Sequence, residues 1–182
     1  MSEESSELKD KTSLLIDVLK RYDHYVATTN FKVGLMMSFL GAIVLGLTIR
    51  VILLNPIQGE VGCIRYAAIV VSVLTIISSL FAAIYLLRAV FPDTKNIDGT
   101  GSVVFFGSVA SENKNADEYY RKVVSIEQDA ILRDLAVQVY NVARVVSQKF
   151  KVLKVAVNTM IYLTVPLLTA SLILMIIEGL RT

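Results

Sequence analysis

Cysteine and histidine occur only once each in this chain of 182 residues, at Cys63 and His24. A single cysteine excludes an internal disulfide, and neither residue has neighbours that are spaced as metal ligands. The patterns of a P-loop, a CxxC pair and an HExxH zinc site are missing as well. We therefore expect no metal, no cofactor and no enzymatic activity.

Charged residues are also scarce: they make up 19% of the chain, whereas hydrophobic residues make up 54%. A soluble domain of this size rarely has such a composition. The 18 basic and 16 acidic residues leave a net charge of +2, which is too small to indicate binding to nucleic acid. The composition therefore predicts a protein whose surroundings are membrane lipid, with no nucleic-acid partner.

Three long apolar stretches are present instead, at residues 33–54, 66–91 and 155–177, and the first two form a predicted transmembrane hairpin over residues 33–91. Each has about 22 residues or more, enough for a helix to cross a hydrocarbon core roughly 30 Å thick. Their middles contain no Asp, Glu, Lys or His, which argues against a coupled ion or proton transporter. Three helices also enclose no aqueous channel, so any pore would need several copies of the chain or a disrupted bilayer.

Basic residues are distributed unevenly around these stretches. The connection at residues 55–62 has neither Lys nor Arg, whereas most Lys and Arg residues lie before the first span or in residues 92–154. Because basic residues accumulate on the cytoplasmic side of membrane proteins, we expect the N-terminus and residues 92–154 in the cytoplasm and residues 178–182 outside. No signal peptide is recognisable, so the first span is expected to serve as the targeting signal.

The segments outside the spans are predicted to be mainly helical. Residues 1–11 are polar and expected to be disordered, whereas residues 12–32 have apolar side chains at helical spacing and predict a cytoplasmic helix. In residues 92–154, Asn115 and Glu118 form a capping-box pattern at the start of another helix. We therefore predict an all-α protein with three transmembrane helices. Its small cytoplasmic helical bundle is formed by helix extensions and by a helical insertion between spans two and three.

Small residues recur every four positions in the first span, at Gly34, Ser38, Ala42 and Gly46. Such a stripe lets helix backbones approach closely in lipid. It serves either a contact between copies of the chain or ordinary packing against span two or three of the same chain, and we favour the second. Pro166 lies near the middle of the third span, where proline removes one backbone hydrogen bond and tends to kink a helix.

Three polar residues share one face of a predicted cytoplasmic helix, since Asp134, Gln138 and Asn141 are four and three positions apart, and Lys149 follows on a nearby face. Carboxylate and amide groups suit the hydrogen-bonding edge of a nucleobase, and a lysine suits a phosphate. A solvated face or a polar seam between helices explains the same spacing, and the spacing alone favours that interpretation. The turn at residues 98–102 similarly offers backbone N–H groups to a phosphate, or is an ordinary flexible turn.

Four stretches, in the same order relative to the spans, together resemble the transmembrane effectors of Pycsar antiphage defence. They lie at the start of span one, at the end of span two, in the cytoplasmic insertion and before span three. Their residues are 21–25 with 29–32, 88–92, 104–110 with 118–120, and 138–143 with 147–150. The resemblance covers nearly the whole chain after residue 12.

The resemblance implies a function and a location in the cell inner membrane. In such systems a partner cyclase, encoded nearby and not necessarily bound to the effector, makes cyclic CMP or cyclic UMP. The membrane effector responds to this ligand and impairs the inner membrane, which aborts the infection. The nucleotide-binding residues that we expect on this basis are Asp134, Gln138, Asn141, Lys149, Asn30 and Lys32. We also expect a homo-oligomer.

A second hypothesis assigns the chain to a different class, a membrane-anchored helical scaffold or adaptor that binds a protein partner. Its contact surface would be Tyr119 and Tyr120 with the patch of Phe105 and Phe106. Aromatic residues at such positions also suit the interior of a helical bundle, and we favour that interpretation for these four residues.

Overall fold

The computed structural model describes residues 2–53, 62–91 and 101–180. In this part of the chain all regular structure is helical, which confirms the predicted all-α fold. The helices are α1 (Ser2–Leu53), α2 (Cys63–Val90), α3 (Phe106–Glu112), α4 (Ala116–Ser125), α5 (Gln128–Thr159) and α6 (Val165–Gly179), with a π-helical turn, Met160–Thr164, between α5 and α6. Most of the predicted connection at 55–62, most of the turn at 98–102 and the last two residues of the tail lie outside the described residues.

Three helical segments are long and apolar enough to cross a membrane, as predicted. The first lies within α1 and the second is α2, and the third is the continuous run from Gln128 to Gly179 through the π turn. The first two segments begin before their predicted spans and end one residue earlier, and the third extends beyond its predicted span at both ends. The absence of Gly and Pro between α5 and the third span accounts for this continuity.

Helix α1 begins at Ser2 rather than at residue 12, so residues 2–11 are helical where we had expected disorder. Lys11 and Glu7 form an ion pair of 2.7 Å one helical turn apart, an arrangement that favours helix. The Thr12 hydroxyl donates a hydrogen bond of 2.8 Å to the carbonyl of Leu8 and therefore does not cap the helix. The polar composition of this segment had suggested disorder, but its charges are spaced for a helix.

The chain divides into two units. The first consists of Met1–Thr28 and Asp93–Gln148, and the second of Thr29–Pro92 and Lys149–Thr182. Helices α1 and α5 therefore contribute residues to both units, whereas α3 and α4 belong to the first unit, and α2 and α6 to the second.

The predicted capping box at the start of α4 is confirmed in the first unit. The Asn115 side chain accepts a hydrogen bond of 2.9 Å from the backbone N–H of Glu118. The Glu118 carboxylate in turn accepts one of 2.8 Å from the backbone N–H of Lys114. The first bond satisfies an N–H group that a helix start leaves without an intrahelical partner. The second reaches the residue before the N-cap, one position earlier than in the standard capping box.

The second unit has two apolar clusters along its three spans. Small buried residues, Ala82 and Ala156 in one cluster and Ala68 in the other, lie between larger side chains. The larger buried members are Val33, Leu40, Leu86 and Met160 in the first cluster, and Ile43, Leu47 and Met175 in the second. In lipid, small residues favour helix association because they let backbones approach and pack closely.

Buried hydroxyl groups form a seam between α2 and the third span. The hydroxyls of Ser72 and Ser171 are 2.7 Å apart, and Ser78 donates a hydrogen bond of 3.2 Å to the hydroxyl of Thr164. Ser72, Thr164 and Ser171 have no exposed surface. We did not predict this seam, although the serine and threonine residues of span two recur at helical spacing, at positions 72, 75, 78 and 79.

Pro166 introduces a π-helical turn into the third span. The backbone N–H of Val165 donates to the carbonyl of Met160, five residues earlier, instead of four as in an α-helix. Proline has no N–H to donate, and in an α-helix its ring would crowd the carbonyl of Tyr162. The wider turn accommodates both defects. Pro166 itself is exposed, so it acts through the backbone, and Thr164 at the end of the π turn lies in the hydroxyl seam.

The stripe of small residues on α1 does not pack within the chain. Gly34, Ser38, Ala42 and Gly46 are all exposed, and a Cβ atom added at Gly34 or Gly46 would meet no atom within 4 Å. The intramolecular packing that we favoured is therefore wrong, because α1 contacts its neighbours through larger apolar residues on another face. A contact between copies of the chain stays a prediction.

The hydroxyl seam predicts that a larger side chain destabilises the protein when it is introduced within the seam but not when it is introduced at an exposed position of the same span. Thr164→Leu places a larger side chain at a position without exposed surface and removes the partner of Ser78 across the interface, although Ser78 keeps its bond to the carbonyl of Thr75. We therefore expect a loss of about 1–3 kcal/mol of stability, mainly from overpacking. Thr169→Leu is the matched control, because Thr169 is exposed and its hydroxyl bonds to Val165 within the same helix. Thermal unfolding of the detergent-solubilised protein measures both. Equal melting temperatures for the two variants would contradict the seam.

Candidate ligand-binding site

Asp134 on α5 holds the segment that precedes α3. Its Oδ2 atom accepts hydrogen bonds from the hydroxyl of Ser102, at 3.0 Å, and from the backbone N–H of Val103, at 2.9 Å. Gly101 begins this segment with φ +82°, a backbone conformation that favours glycine. The result is a polar contact between an irregular segment and a long helix, both in the first unit.

The hydroxyl of Ser102 is the centre of this contact. Besides donating to Asp134, it accepts from the backbone N–H groups of Val104, at 3.1 Å, and Phe105, at 2.8 Å. The side-chain amide of Gln138 donates to the same oxygen at 3.3 Å. Ser102 thereby satisfies backbone N–H groups at the start of α3, and Ser102, Asp134 and Gln138 form what we call the Ser102 cluster.

The predicted polar face of α5 is buried rather than solvated. Gln138 and Asn141 are 4% and 8% exposed, and Asp134 is half-buried. The solvated-face interpretation is therefore wrong. The bonds of Asp134 and Gln138 reach the irregular segment before α3 rather than another helix. Carboxylate, amide and hydroxyl groups that lie together in partial burial provide both donors and acceptors, which is what recognition of a nucleobase edge requires.

An ion pair lies beside the turn that leads into the Ser102 cluster. The Glu112 carboxylate accepts a hydrogen bond of 2.7 Å from the backbone N–H of Gly101 and contacts the Lys122 ammonium at 3.1 Å. The Gly101 N–H, and then Lys122, lower the pKa of Glu112 from its usual value. The carboxylate is thus held ionised where it fixes the turn.

Lys149 joins three helices in the second unit. Its ammonium donates to the side-chain oxygen of Asn30 on α1, at 3.2 Å, and to the backbone carbonyl of Val90, the last residue of α2, at 3.1 Å. Only 5% of Lys149 is exposed. A cation at the C-terminal carbonyls of a helix also complements the helix dipole. We call this arrangement the Lys149 joint.

The six residues predicted to bind nucleotide therefore fall into two sets. Asp134, Gln138 and Asn141 belong to the first unit, whereas Asn30, Lys32 and Lys149 belong to the second. Asp134 and Gln138 meet at Ser102, and Lys149 and Asn30 bond to each other, but Lys32 is exposed. Ser102 lies in the turn at residues 98–102 that was weighed as a phosphate cradle, but the part of its side chain in this cluster was not predicted, since a lone serine in an irregular segment has no periodic pattern.

The aromatic residues of the first unit do not all pack in its interior. Phe106 is 80% exposed and Tyr120 is 67% exposed, so the bundle-core interpretation is wrong for these two. Tyr119 is half-buried and donates a hydrogen bond of 2.9 Å to the carbonyl of Val103. Within residues 2–53, 62–91 and 101–180, no group of three His, Cys, Asp or Glu side chains is placed to hold a metal ion.

Comparison with known proteins gives a family. Residues 14–177 match the Pycsar effector protein domain, PycTM. The Pycsar effector protein EcPycTM of Escherichia coli is 30% identical over 155 residues, which cover 82% of this chain and 83% of the relative. No solved structure matches significantly. Since the matched domain contains both polar clusters and all three apolar spans, the chain belongs to the PycTM family of Pycsar effector proteins.

Proposed function

We propose that this protein is a membrane effector of bacterial antiphage defence that senses cyclic CMP or cyclic UMP and then impairs the inner membrane. The match of residues 14–177 to the Pycsar effector domain carries the proposal. The three apolar helices support a multi-pass location. The distribution of basic residues supports a cytoplasmic N-terminus, where a nucleotide made by a partner cyclase would be accessible.

The Ser102 cluster is our proposed recognition site for the pyrimidine base. The amide of Gln138 offers a donor and an acceptor, and the Asp134 carboxylate accepts hydrogen bonds. Ser102 and Val103 use Oδ2 of Asp134, so a base that donates to this atom would compete with the segment before α3. Binding would thereby favour an arrangement in which this segment is released. A ligand changes a conformation only through such a difference in affinity between two states.

Helix α5 provides the route from recognition to the membrane. It contains Asp134 and Gln138 as well as Lys149, and it continues through the π turn into α6. Repacking of α5 on ligand binding would alter the Lys149 joint, where three helices meet. A π turn is an irregularity that frequently occurs at functional sites.

Impairment of the membrane requires more than one copy of the chain, in our proposal, because three spans enclose no lumen. The exposed stripe of Gly34, Ser38, Ala42 and Gly46 is the proposed contact in a homo-oligomer. Its exposure within the second unit supports this role, since close backbone approach between helices needs small residues on an accessible face.

The scaffold hypothesis remains the second candidate because Phe106 and Tyr120 are exposed. Aromatic residues are enriched at protein interfaces. Affinity purification from membranes without nucleotide distinguishes the two candidates. A stoichiometric protein partner that is lost in Phe106→Ala and Tyr120→Ala favours the scaffold, whereas nucleotide binding by the purified chain alone favours the effector.

The recognition site predicts a difference between two glutamines of α5. Gln138→Ala should weaken binding of cyclic CMP or cyclic UMP about tenfold or more, because a buried amide that bonds the base is lost. Asn141→Ala should also weaken it. Gln148→Ala is the matched control, since Gln148 is exposed on the same helix. Calorimetry on the purified full chain measures all three variants, and membrane levels are compared by immunoblot. Normal binding by a folded Gln138→Ala variant would exclude the Ser102 cluster as the site.

The Lys149 joint predicts activity without ligand when the joint is broken. Lys149→Met keeps the apolar stem of the side chain but leaves the Asn30 and Val90 oxygens without their donor, at a cost of about 1–3 kcal/mol to the resting arrangement. We expect growth arrest and dye leakage in cells that lack the cyclase. Lys151→Met, at an exposed position two residues later, should be silent. If Lys149→Met inserts normally and responds only when nucleotide is supplied, the joint does not hold the resting state.

The stripe predicts a graded effect of side-chain size on assembly. Gly34→Ala should preserve the oligomer because alanine is tolerated where helices approach closely, whereas Gly34→Leu should abolish it. We expect neither change to disturb the fold of the chain, since Gly34 is exposed and a Cβ atom added there meets nothing within 4 Å. Cross-linking in membranes reports assembly, and calorimetry should show intact nucleotide binding. Oligomers of equal yield in both variants would place the contact elsewhere.

A further inference from the structure

A groove of about 620 Å³ lies between α1 and α6 in the second unit. This volume is within the range of roughly 300–1,000 Å³ that small-molecule sites occupy. Both walls belong to predicted membrane-spanning segments, and the lining is apolar except at one position, Arg50. The other lining residues are Ala42, Ile43, Gly46, Leu47, Leu168, Leu172, Met175, Ile176 and Gly179.

Small residues keep the groove open. Gly46 and Gly179 contribute no side chain to it, and Ala42 contributes a single methyl group. A Cβ atom added at Gly46 would meet no atom within 4 Å, so no neighbouring side chain fills the space beside this glycine. The buried side chains of Ile43, Leu47 and Met175 form an apolar surface within the groove.

Arg50 places a positive charge beside this apolar surface. It lies in the last turn of α1, it is exposed, and no carboxylate of the described residues pairs with it. An arginine near the end of a span extends toward the headgroup region, and its guanidinium matches a phosphate in geometry and charge. The groove therefore combines a surface for a hydrocarbon chain with a donor for a phosphate.

We propose that this groove binds one membrane phospholipid, with an acyl chain along α1 and α6 and the phosphate on Arg50. A helix from a second copy is the competing occupant. The charge of Arg50 favours the lipid, because a phospholipid supplies a phosphate where no carboxylate of the described residues pairs with this arginine. The proposal concerns the second unit alone and does not depend on nucleotide sensing.

Native mass spectrometry of the purified full chain, titrated with dioleoylphosphatidylglycerol in detergent, tests the proposal. We expect one retained lipid per chain. Dioleoylglycerol, which has the acyl chains without the phosphate, should bind with an affinity at least about tenfold lower. Glycerol 3-phosphate, which has the phosphate without the chains, should not bind.

Three variants assign the binding to this groove. Gly46→Leu fills the space and should reduce phospholipid binding at least tenfold. Arg50→Gln, at an exposed position, should reduce phospholipid binding about tenfold and leave dioleoylglycerol binding unchanged. Gly41→Leu is the matched control, because Gly41 is equally open to an added Cβ atom but does not line the groove, and it should bind lipid as the wild type does.

Two results would overturn the proposal. One is phospholipid binding by Gly46→Leu and Arg50→Gln at the wild-type level, which would indicate nonspecific adhesion of lipid. The other is loss of a dimer in Gly46→Leu with no change in lipid mass, which would assign the groove to a second copy. If Gly46→Leu does not fold, Arg50→Gln, measured with both dioleoylphosphatidylglycerol and dioleoylglycerol, decides the question alone.

Discussion

Hydrogen bonds between buried hydroxyl groups determine how the second and third spans face each other. In lipid, apolar side chains gain nothing from leaving their surroundings, so an apolar face alone does not specify which helices meet. Ser72 with Ser171 and Ser78 with Thr164 favour one facing of the two helices, because rotating or sliding either helix would break both interhelical contacts. Ser72 and Ser78 would then keep only their bonds to the carbonyls of Ala68 and Thr75 in their own helix. The π turn before Pro166 belongs to the same constraint, since Thr164 at its end lies in the seam. The seam thus ties the register of α2 to that of the third span.

Polar groups also determine the arrangement at the other two clusters. Lys149 satisfies the last carbonyl of α2 and an amide of α1, where burial of a lysine would otherwise be costly. Ser102 satisfies N–H groups at the start of α3 and is held in turn by Asp134. In each cluster one side chain serves several partners, so its loss would leave more than one group unsatisfied. Packed polar clusters of this kind favour discrete arrangements over continuous deformation, which the proposed response to a ligand would require.

The fold class was predictable from the sequence because it depends on long-range averages, namely the length of the apolar runs and the periodicity between them. The capping box was predictable because Asn115 and Glu118 are near in sequence and their bonds are local. The Ser102 cluster was only half predictable, since helical spacing places Asp134 and Gln138 on one face but carries no information about a serine more than thirty residues earlier. The prediction that the small-residue stripe of α1 packs within the chain was wrong for a related reason. Small residues permit close packing but do not determine which helix packs against them. In this chain, larger residues of α1 make the contacts with the other spans.

The open face of α1 links the two membrane proposals physically. Ala42 and Gly46 belong both to the small-residue stripe and to the groove beside α6, so a lipid seated in the groove and a second helix packed along the whole stripe would compete for the same atoms. Gly34 and Ser38 lie outside the groove and remain accessible in either case. An oligomer could therefore begin at the Gly34 end while lipid is bound, and it would extend to Gly46 only when that lipid leaves. Release of lipid from between helices would disturb the bilayer at the site of assembly. Since the three spans of one chain enclose no lumen, membrane impairment would depend on such a disturbance at the contact between copies.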